Sequence, residues 1–194
     1  MGKLKIYTFP DAVLAKKALP IERAGKDYFK LADNMLETMY EAPGIGLAAN
    51  QVGVLERIIV VDTEYDVTDP ADLEPGEPLP AGEVVNGQII SGKKPLILIN
   101  PEIIYREGKS SMKEACLSVP DYSAEVQRSG IIKVRYQDID GLSKTLDAEG
   151  LLAVCLQHEM DHLDGTLFID RLSQLKKDFA KKKLIKARKL EEGS

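Results

Sequence analysis

The chain has 194 residues, 44% apolar and 29% charged, with 26 basic against 31 acidic side chains and a formal net charge of −5. That is apolar material for one sizeable core, and at roughly 150 residues per domain one domain is expected. The acidic balance argues against a surface that coats DNA or anionic membrane, and no apolar run approaches the roughly 18 residues of a spanning helix. Two cysteines make no disulfide scaffold and point to a reducing compartment. The start, Met-Gly-Lys-Leu-Lys-Ile, reads as neither a secretory signal nor a transit peptide, so a cytoplasmic location is expected.

In chain order, Lys3 to Phe9 alternates and reads as a short strand or an extended arm. Tyr28, Leu31, Ala32, Met35, Leu36 and Met39 fall at three- and four-residue steps, the face of an amphipathic helix that Pro43-Gly44 ends. Arg57 to Asp62 is a β-branched strand run. Residues 64–92 hold seven acidic residues, no Lys or Arg, and prolines at 70, 75, 78 and 80. This reads as an acidic surface insertion, with a β-ribbon over Val84 to Ile90, before Leu96 to Asn100 resumes the strand pattern. Ile131 to Tyr136 and Ser143 to Leu146, joined by Asp140-Gly141, read as a hairpin. Residues 149–163 form a helix with Gly165 past its end. Residues 171–190 carry nine basic side chains against Asp178, with Leu172, Leu175, Phe179 and Ala180 as a narrow apolar stripe. The class is α+β, with several strands, then a buried helix, then a surface helix.

The chemistry lies in Gln157-His158-Glu159-Met160-Asp161-His162, which contains His-Glu-x-x-His. At 100° per residue the two imidazoles share one helix face, one turn apart, and can hold one metal ion. Glu159 lies beside them, placed to take a proton from metal-bound water. The helix is otherwise apolar nearly all round, through Leu151, Leu152, Ala153, Val154, Cys155, Leu156, Met160 and Leu163, so it is buried. Buried imidazoles and a carboxylate need partners, which a metal supplies. These are the only histidines in the chain. A catalytic site needs a third protein ligand. The candidates are the downstream acids Asp164, Asp170, Asp178, Glu191 and Glu192, or Cys155, or Cys116 in a loop flanked by strands. The pattern alone leaves that choice open.

Three separated segments match one family: Gly44-Ile-Gly-Leu-Ala-Ala-Asn-Gln51, Glu114-Ala-Cys-Leu-Ser118 and Gln157-His-Glu-Met-Asp-His162. The chain resembles the peptide deformylase family over most of residues 3–175. The resemblance implies mixed, mainly antiparallel strands around a central buried helix carrying the His-Glu-x-x-His motif. It implies a metal held by Cys116, His158 and His162 with a water as fourth ligand, iron(II) in the cell, and zinc, nickel or cobalt also compatible with the donor set. Glu159 is then general base and general acid, and the Gln51 amide and Leu117 N–H bind the oxyanion. A methionine-sized pocket along Gly44, Ile45, Met112, Leu151, Val154 and Cys155 follows, with Gly44 and Gly46 letting a substrate peptide run close. Glu114 and Arg128 match a structural ion pair. Ala115 departs from the usual Gly, and Ser123 stands where some relatives carry a basic residue.

The expected organisation is one catalytic domain over 1–175, interrupted by the 64–92 insertion, then a basic C-terminal helix or tail over 176–194. The expected substrates are nascent N-formylmethionyl polypeptides, with the basic segment as a docking element for the ribosome. Two other classes compete: a metal or redox sensor using Cys116 and Cys155, and a broader metallopeptidase. The sensor leaves Glu159 and Gln51 without a role.

Overall fold

The structure, a computed structural model, describes residues 2–74 and 77–192. Pro75 and Gly76 of the acidic stretch, the last two residues of the basic segment, and the side chains of Glu191 and Glu192 lie outside what is described. The elements in chain order are α1 (Phe29–Glu41), β1 (Gly46–Ala48), β2 (Ile58–Val61), β3 (Asp66–Thr68), β4 (Glu83–Val85), β5 (Gln88–Ser91), β6 (Leu96–Glu107), β7 (Ser110–Cys116), β8 (Val119–Arg128), β9 (Ile131–Gln137), β10 (Ser143–Glu149), α2 (Gly150–Leu163) and α3 (Gln174–Glu192). This is a mixed α+β fold built from antiparallel sheets.

The main sheet has the order β1-β2-β6-β9-β10, every neighbouring pair antiparallel. It divides the core in two by the alternation of a strand. Ile59 and Val61 of β2 join Leu98, Ile132 and Val134 against Ala153, Cys155, Leu156, Met160 and Leu163 of α2. Ile58 and Val60 point the other way and join Ile99 against Ala32, Met35 and Met39 of α1. Both faces are therefore apolar, which is why β2 reads as an unbroken β-branched run. A third cluster gathers Val119 and Val126 of β8, Phe168 and Ile169 of a short 3-10 turn, and Ala180 and Leu184 of α3.

Several expectations need adjustment. Residues 3–9 form no strand; they are the extended arm, tied down where Tyr7 N–H donates to the Gln51 carbonyl at 2.7 Å and Phe9 N–H to the Ser118 carbonyl at 2.8 Å. The β-ribbon of the acidic stretch is present as β4 and β5, and β3 completes a three-stranded sheet in the order β3-β5-β4. Cys116 ends a strand rather than occupying a loop, because β7 and β8 form a hairpin that leaves only residues 117 and 118 between them.

The apolar stripe of the last helix is also reassigned. Leu175 and Phe179 are 81% and 66% exposed, and the packed face holds Ala180 and Leu184. Polar tethers set that rotation. Lys177 and Lys181 both pair with Asp170, at 2.8 and 2.9 Å, and Arg188 donates to Thr8 Oγ1 at 2.8 Å. Residues 177, 181, 184 and 188 recur at helical spacing, so the tethers and the apolar pair share one face.

Candidate metal centre

The β7–β8 ladder runs in register from Ser110↔Arg128 to Ala115↔Ser123, then shifts so that Cys116 faces Val119. That irregularity ends the strand at Cys116. Its Sγ lies 3.1 Å from His162 Nε2. The ligand atoms of Cys116, His158 and His162 all lie within 4.8 Å of one another. Tetrahedral coordination with metal–sulfur near 2.3 Å and metal–nitrogen near 2.0–2.1 Å places such atoms about 3.4–3.6 Å apart, so the three fit one cation. Of the other candidates, the side chains of Glu191 and Glu192 lie outside the described residues, and the rest are engaged elsewhere. Asp164 pairs with Arg57, Asp170 with Lys177 and Lys181, and Asp178 accepts from Gln174. The buried Cys155 thiol points to the Ile45 carbonyl at 3.5 Å.

His158 is oriented from behind. Its Nδ1 meets Glu114 Oε2 at 2.7 Å, which leaves Nε2 for a ligand. Phe168 stacks on the same ring, with centroids 5.8 Å apart and planes at 25°. Glu114 is gripped by Arg128 through Nε at 2.5 Å and Nη2 at 2.9 Å. Arg128 also reaches Asp161 Oδ2 at 2.8 Å, and Arg171 closes on Asp161 with two bonds of 2.5 Å. Two guanidinium groups thus balance two buried carboxylates, Arg128 from within and Arg171 from the exposed side. Motif reading missed Asp161, Phe168 and Arg171, since nothing in their spacing ties 168 and 171 to the imidazole pair.

Glu159 is buried, and its Oε2 and the Nδ1 of His162 have no hydrogen-bond partner among the described residues. Burial pushes the Glu159 carboxyl up to about 7, against the opposing pull of His158 and Arg128. Burial likewise drives His162 well below the ordinary imidazole range, helped by His158 and Arg128. At His158 burial acts downward too, but the Cys116 sulfur, Glu114 and Glu159 outweigh it and hold the ring well above that range. The unpartnered Glu159 Oε2 beside a thiol and two imidazoles is what a metal-bound water would satisfy.

Gln51 is 1% exposed. Its Oε1 accepts from Ala48 N–H at 2.8 Å, which turns Nε2 toward Ser118 Oγ at 3.1 Å and Cys116 Sγ at 3.6 Å. A cleft of about 530 Å³ opens over these groups. Gly44, Ile45, Gly46, Met112, Leu117, Leu151, Val154 and Cys155 all line it, together with Gln51, Cys116, His158 and Glu159. Leu151 is 47% exposed, so α2 is not buried all round. Ala115 and Ser123, opposite each other across the hairpin, line the same cleft, and the added methyl of Ala115 therefore meets open space beside the site. Gly46 has a steric reason to be glycine: a Cβ there would lie 2.5 Å from Glu159 Oε1 and 2.8 Å from Cys155 Sγ.

A helix bearing His-Glu-x-x-His under a strand-end thiol, at the floor of a mostly apolar cleft, defines a class: a single-metal hydrolase. The family model described as polypeptide deformylase matches residues 3–178. A peptide deformylase of Novosphingobium aromaticivorans is 48% identical over 190 residues, covering 97% of this chain and 99% of that protein. One from Rhizobium meliloti is 45% identical over 185 residues, covering 95% and 93%. Among solved structures, the peptide deformylase of Legionella pneumophila superposes with a TM-score of 0.78 at 35% identity, covering 100% of this chain and 99% of that one. That of Ehrlichia chaffeensis in complex with actinonin gives 0.78 at 39% identity, covering 96% and 98%. The chain belongs to the polypeptide deformylase family. It is a metal-dependent hydrolase that removes the formyl group from N-terminal formyl-methionine of nascent polypeptides. No helix among the described residues is long and apolar enough to cross a membrane.

Proposed function

We propose that Cys116, His158 and His162 hold the cation, and that the reaction runs on Glu159, Gln51 and the Leu117 N–H. The single observation that carries this reading is the convergence of the Cys116 thiol with both imidazoles beside a buried, unpartnered carboxylate. A bound divalent ion supplies Lewis-acid polarisation of the formyl oxygen and a readily deprotonated water. Glu159, already poised near neutrality, takes a proton from the attacking water as its oxygen bonds to the formyl carbon. The Gln51 amide and the Leu117 N–H receive the developing oxyanion. Glu159 then passes the proton to the amine nitrogen as the C–N bond breaks, and formate leaves. Iron(II) is the ion we assign in the cell, with zinc, nickel or cobalt taken up by purified protein.

The methionine side chain occupies the apolar wall of Met112, Leu151, Val154 and Cys155. Beside it, β1 is an edge strand of the main sheet. Ile45 is bonded toward β2, since its carbonyl accepts from Asp62 N–H at 2.9 Å. Antiparallel alternation then turns the N–H and C=O of Gly46 outward, where an extended peptide adds as a further strand. The same cleft binds actinonin, the compound held by the Ehrlichia chaffeensis relative.

In organisation, residues 1–175 are one catalytic domain with α2 at its centre and the 64–92 stretch as an insertion, acting in the cytoplasm. Residues 176–194 are an appended basic element that meets the ribosome. Lys176, Lys182, Lys186 and Lys189 are exposed on it and suit phosphate contact, while Lys177 and Lys181 are spent on Asp170. The decisive assay is formate release from formyl-Met-Ala-Ser by protein purified without oxygen, with metal analysis of the same sample. Release that is abolished by Glu159→Gln at full metal content supports the assignment; a variant as active as the parent overturns it. Replacing the exposed Lys176, Lys182, Lys186 and Lys189 with Gln leaves this assay intact and weakens salt-sensitive ribosome binding; unchanged binding removes the docking role.

A further inference from the structure

The acidic stretch begins beside the cleft. Two successive carbonyls of the cleft-lining segment are held by residues just after β2: Ile45 O accepts from Asp62 N–H at 2.9 Å, and Gly44 O accepts from the Tyr65 hydroxyl at 2.9 Å. Both partners are themselves fixed. The Asp62 carboxylate accepts from the Tyr40 hydroxyl and from Lys94 N–H, each at 2.7 Å. The Tyr65 ring stands edge-on to Tyr40, with centroids 5.0 Å apart and planes at 89°. The next residue, Asp66, starts β3 and pairs with Ser91 of β5. Tyr65 is therefore placed by the small sheet on one side and by α1 on the other.

The held segment needs such a partner. Glycines flank Ile45 on both sides, so no neighbouring Cβ restricts the backbone there and its hydrogen bonds must hold it. Rotation of the Gly44–Ile45 peptide plane would swing the Ile45 N–H and shift the backbone leading into Gly46, the edge residue to which we assign the substrate peptide. One hydrogen bond to the Gly44 carbonyl blocks that rotation.

We propose that Tyr65 is a positioning residue for substrate binding, and that the 64–92 stretch serves the enzyme by presenting its hydroxyl to Gly44. The proposal rests on the reading of segment 44–46 as the peptide-binding edge. Burial, with the Asp62 charge, holds the Tyr65 phenol above its ordinary value, so the hydroxyl remains a donor throughout the working range.

The test is Tyr65→Phe in the full, metal-loaded chain. It keeps the ring against Tyr40 and removes only the donor. Two measurements are needed: amide hydrogen exchange at residues 45 and 46 without substrate, and steady-state hydrolysis of formyl-Met-Ala-Ser. The expected result is exchange at least about threefold faster, with KM raised about threefold to tenfold and kcat within about twofold. Exchange unchanged from the parent overturns the positioning role, whatever the kinetics. Faster exchange with KM unchanged also overturns the proposal, and locates the error in the peptide-binding assignment of 44–46 rather than in the Tyr65 contact. A fall in kcat at constant KM overturns it as well, since it would place Tyr65 in the chemical step.

Discussion

Glu114 Oε2 lies 2.7 Å from His158 Nδ1, and the same carboxylate is clasped by Arg128. Burial alone would raise the Glu114 carboxyl, but His158 and Arg128 outweigh it and hold it below the usual carboxylate range. It is therefore a charged acceptor that fixes the His158 ring and its tautomer. Glu114→Gln should weaken metal affinity by about tenfold to a hundredfold, the usual cost of losing such a partner. Competition with a chelator measures it. Glu114→Ala should in addition cost about 3 kcal/mol of stability, because Arg128 stays buried with Asp161 as its one remaining carboxylate.

Glu159 differs from the ligands in what its loss should do. Glu159→Gln should lower kcat by about two to four orders of magnitude, the range for a positioned general base. The metal content of the purified variant should match the parent, because no ligand atom has changed.

Removing the Gln51 amide should act on the transition state. Gln51→Ala is expected to lower kcat about a hundredfold to a thousandfold with a smaller change in KM, as for loss of one oxyanion donor. A modest fall in melting temperature accompanies it, since Ala48 N–H loses its acceptor.

Gly46→Ala tests the closeness of β1 to α2. The new methyl meets the Glu159 carboxylate and the Cys155 sulfur, both of them buried side chains. Overpacking of about 1–3 kcal/mol should be measurable by thermal unfolding, together with loss of formate release.

The attachment of α3 should depend on acid. Burial raises the Asp170 carboxyl, but hydrogen bonds from Lys177, Lys181 and the Leu167 N–H more than offset it and leave it below its ordinary value. A carboxyl depressed in the folded state contributes stability that is present above its unfolded value, near pH 3.9, and lost as pH falls through the folded one. Amide exchange in 177–186 should therefore accelerate below about pH 4, and Asp170→Asn should show the faster exchange already at neutral pH.

Much was legible from local pattern. The two α2 histidines and their glutamate follow from helical geometry, and the strand runs of β2, β9 and β10 follow from alternation and β-branching. Strands were legible on both sides of Cys116, but not their ends or their pairing, because β7 and β8 mix Lys, Glu, Ser and Tyr and one face is exposed. Nor was the docking face of α3, where Leu175 and Phe179 promised burial and the Asp170 tethers turned them outward.

By itself, then, the sequence determined the class of chemistry: a helix of fixed pitch must bring His158 and His162 together, with Glu159 alongside. The convergence of a third donor with them, proposed above as the third ligand, is a matter of tertiary structure. Cys116 is 42 residues earlier in the chain than His158, and what carries its sulfur to the imidazoles is the end of a β-ladder. The same holds for Tyr65 and Gly44, or Arg171 and Asp161. Such pairs meet through packed sheets and buried charge balance, and no spacing along a chain encodes a contact that depends on how distant segments fold against each other.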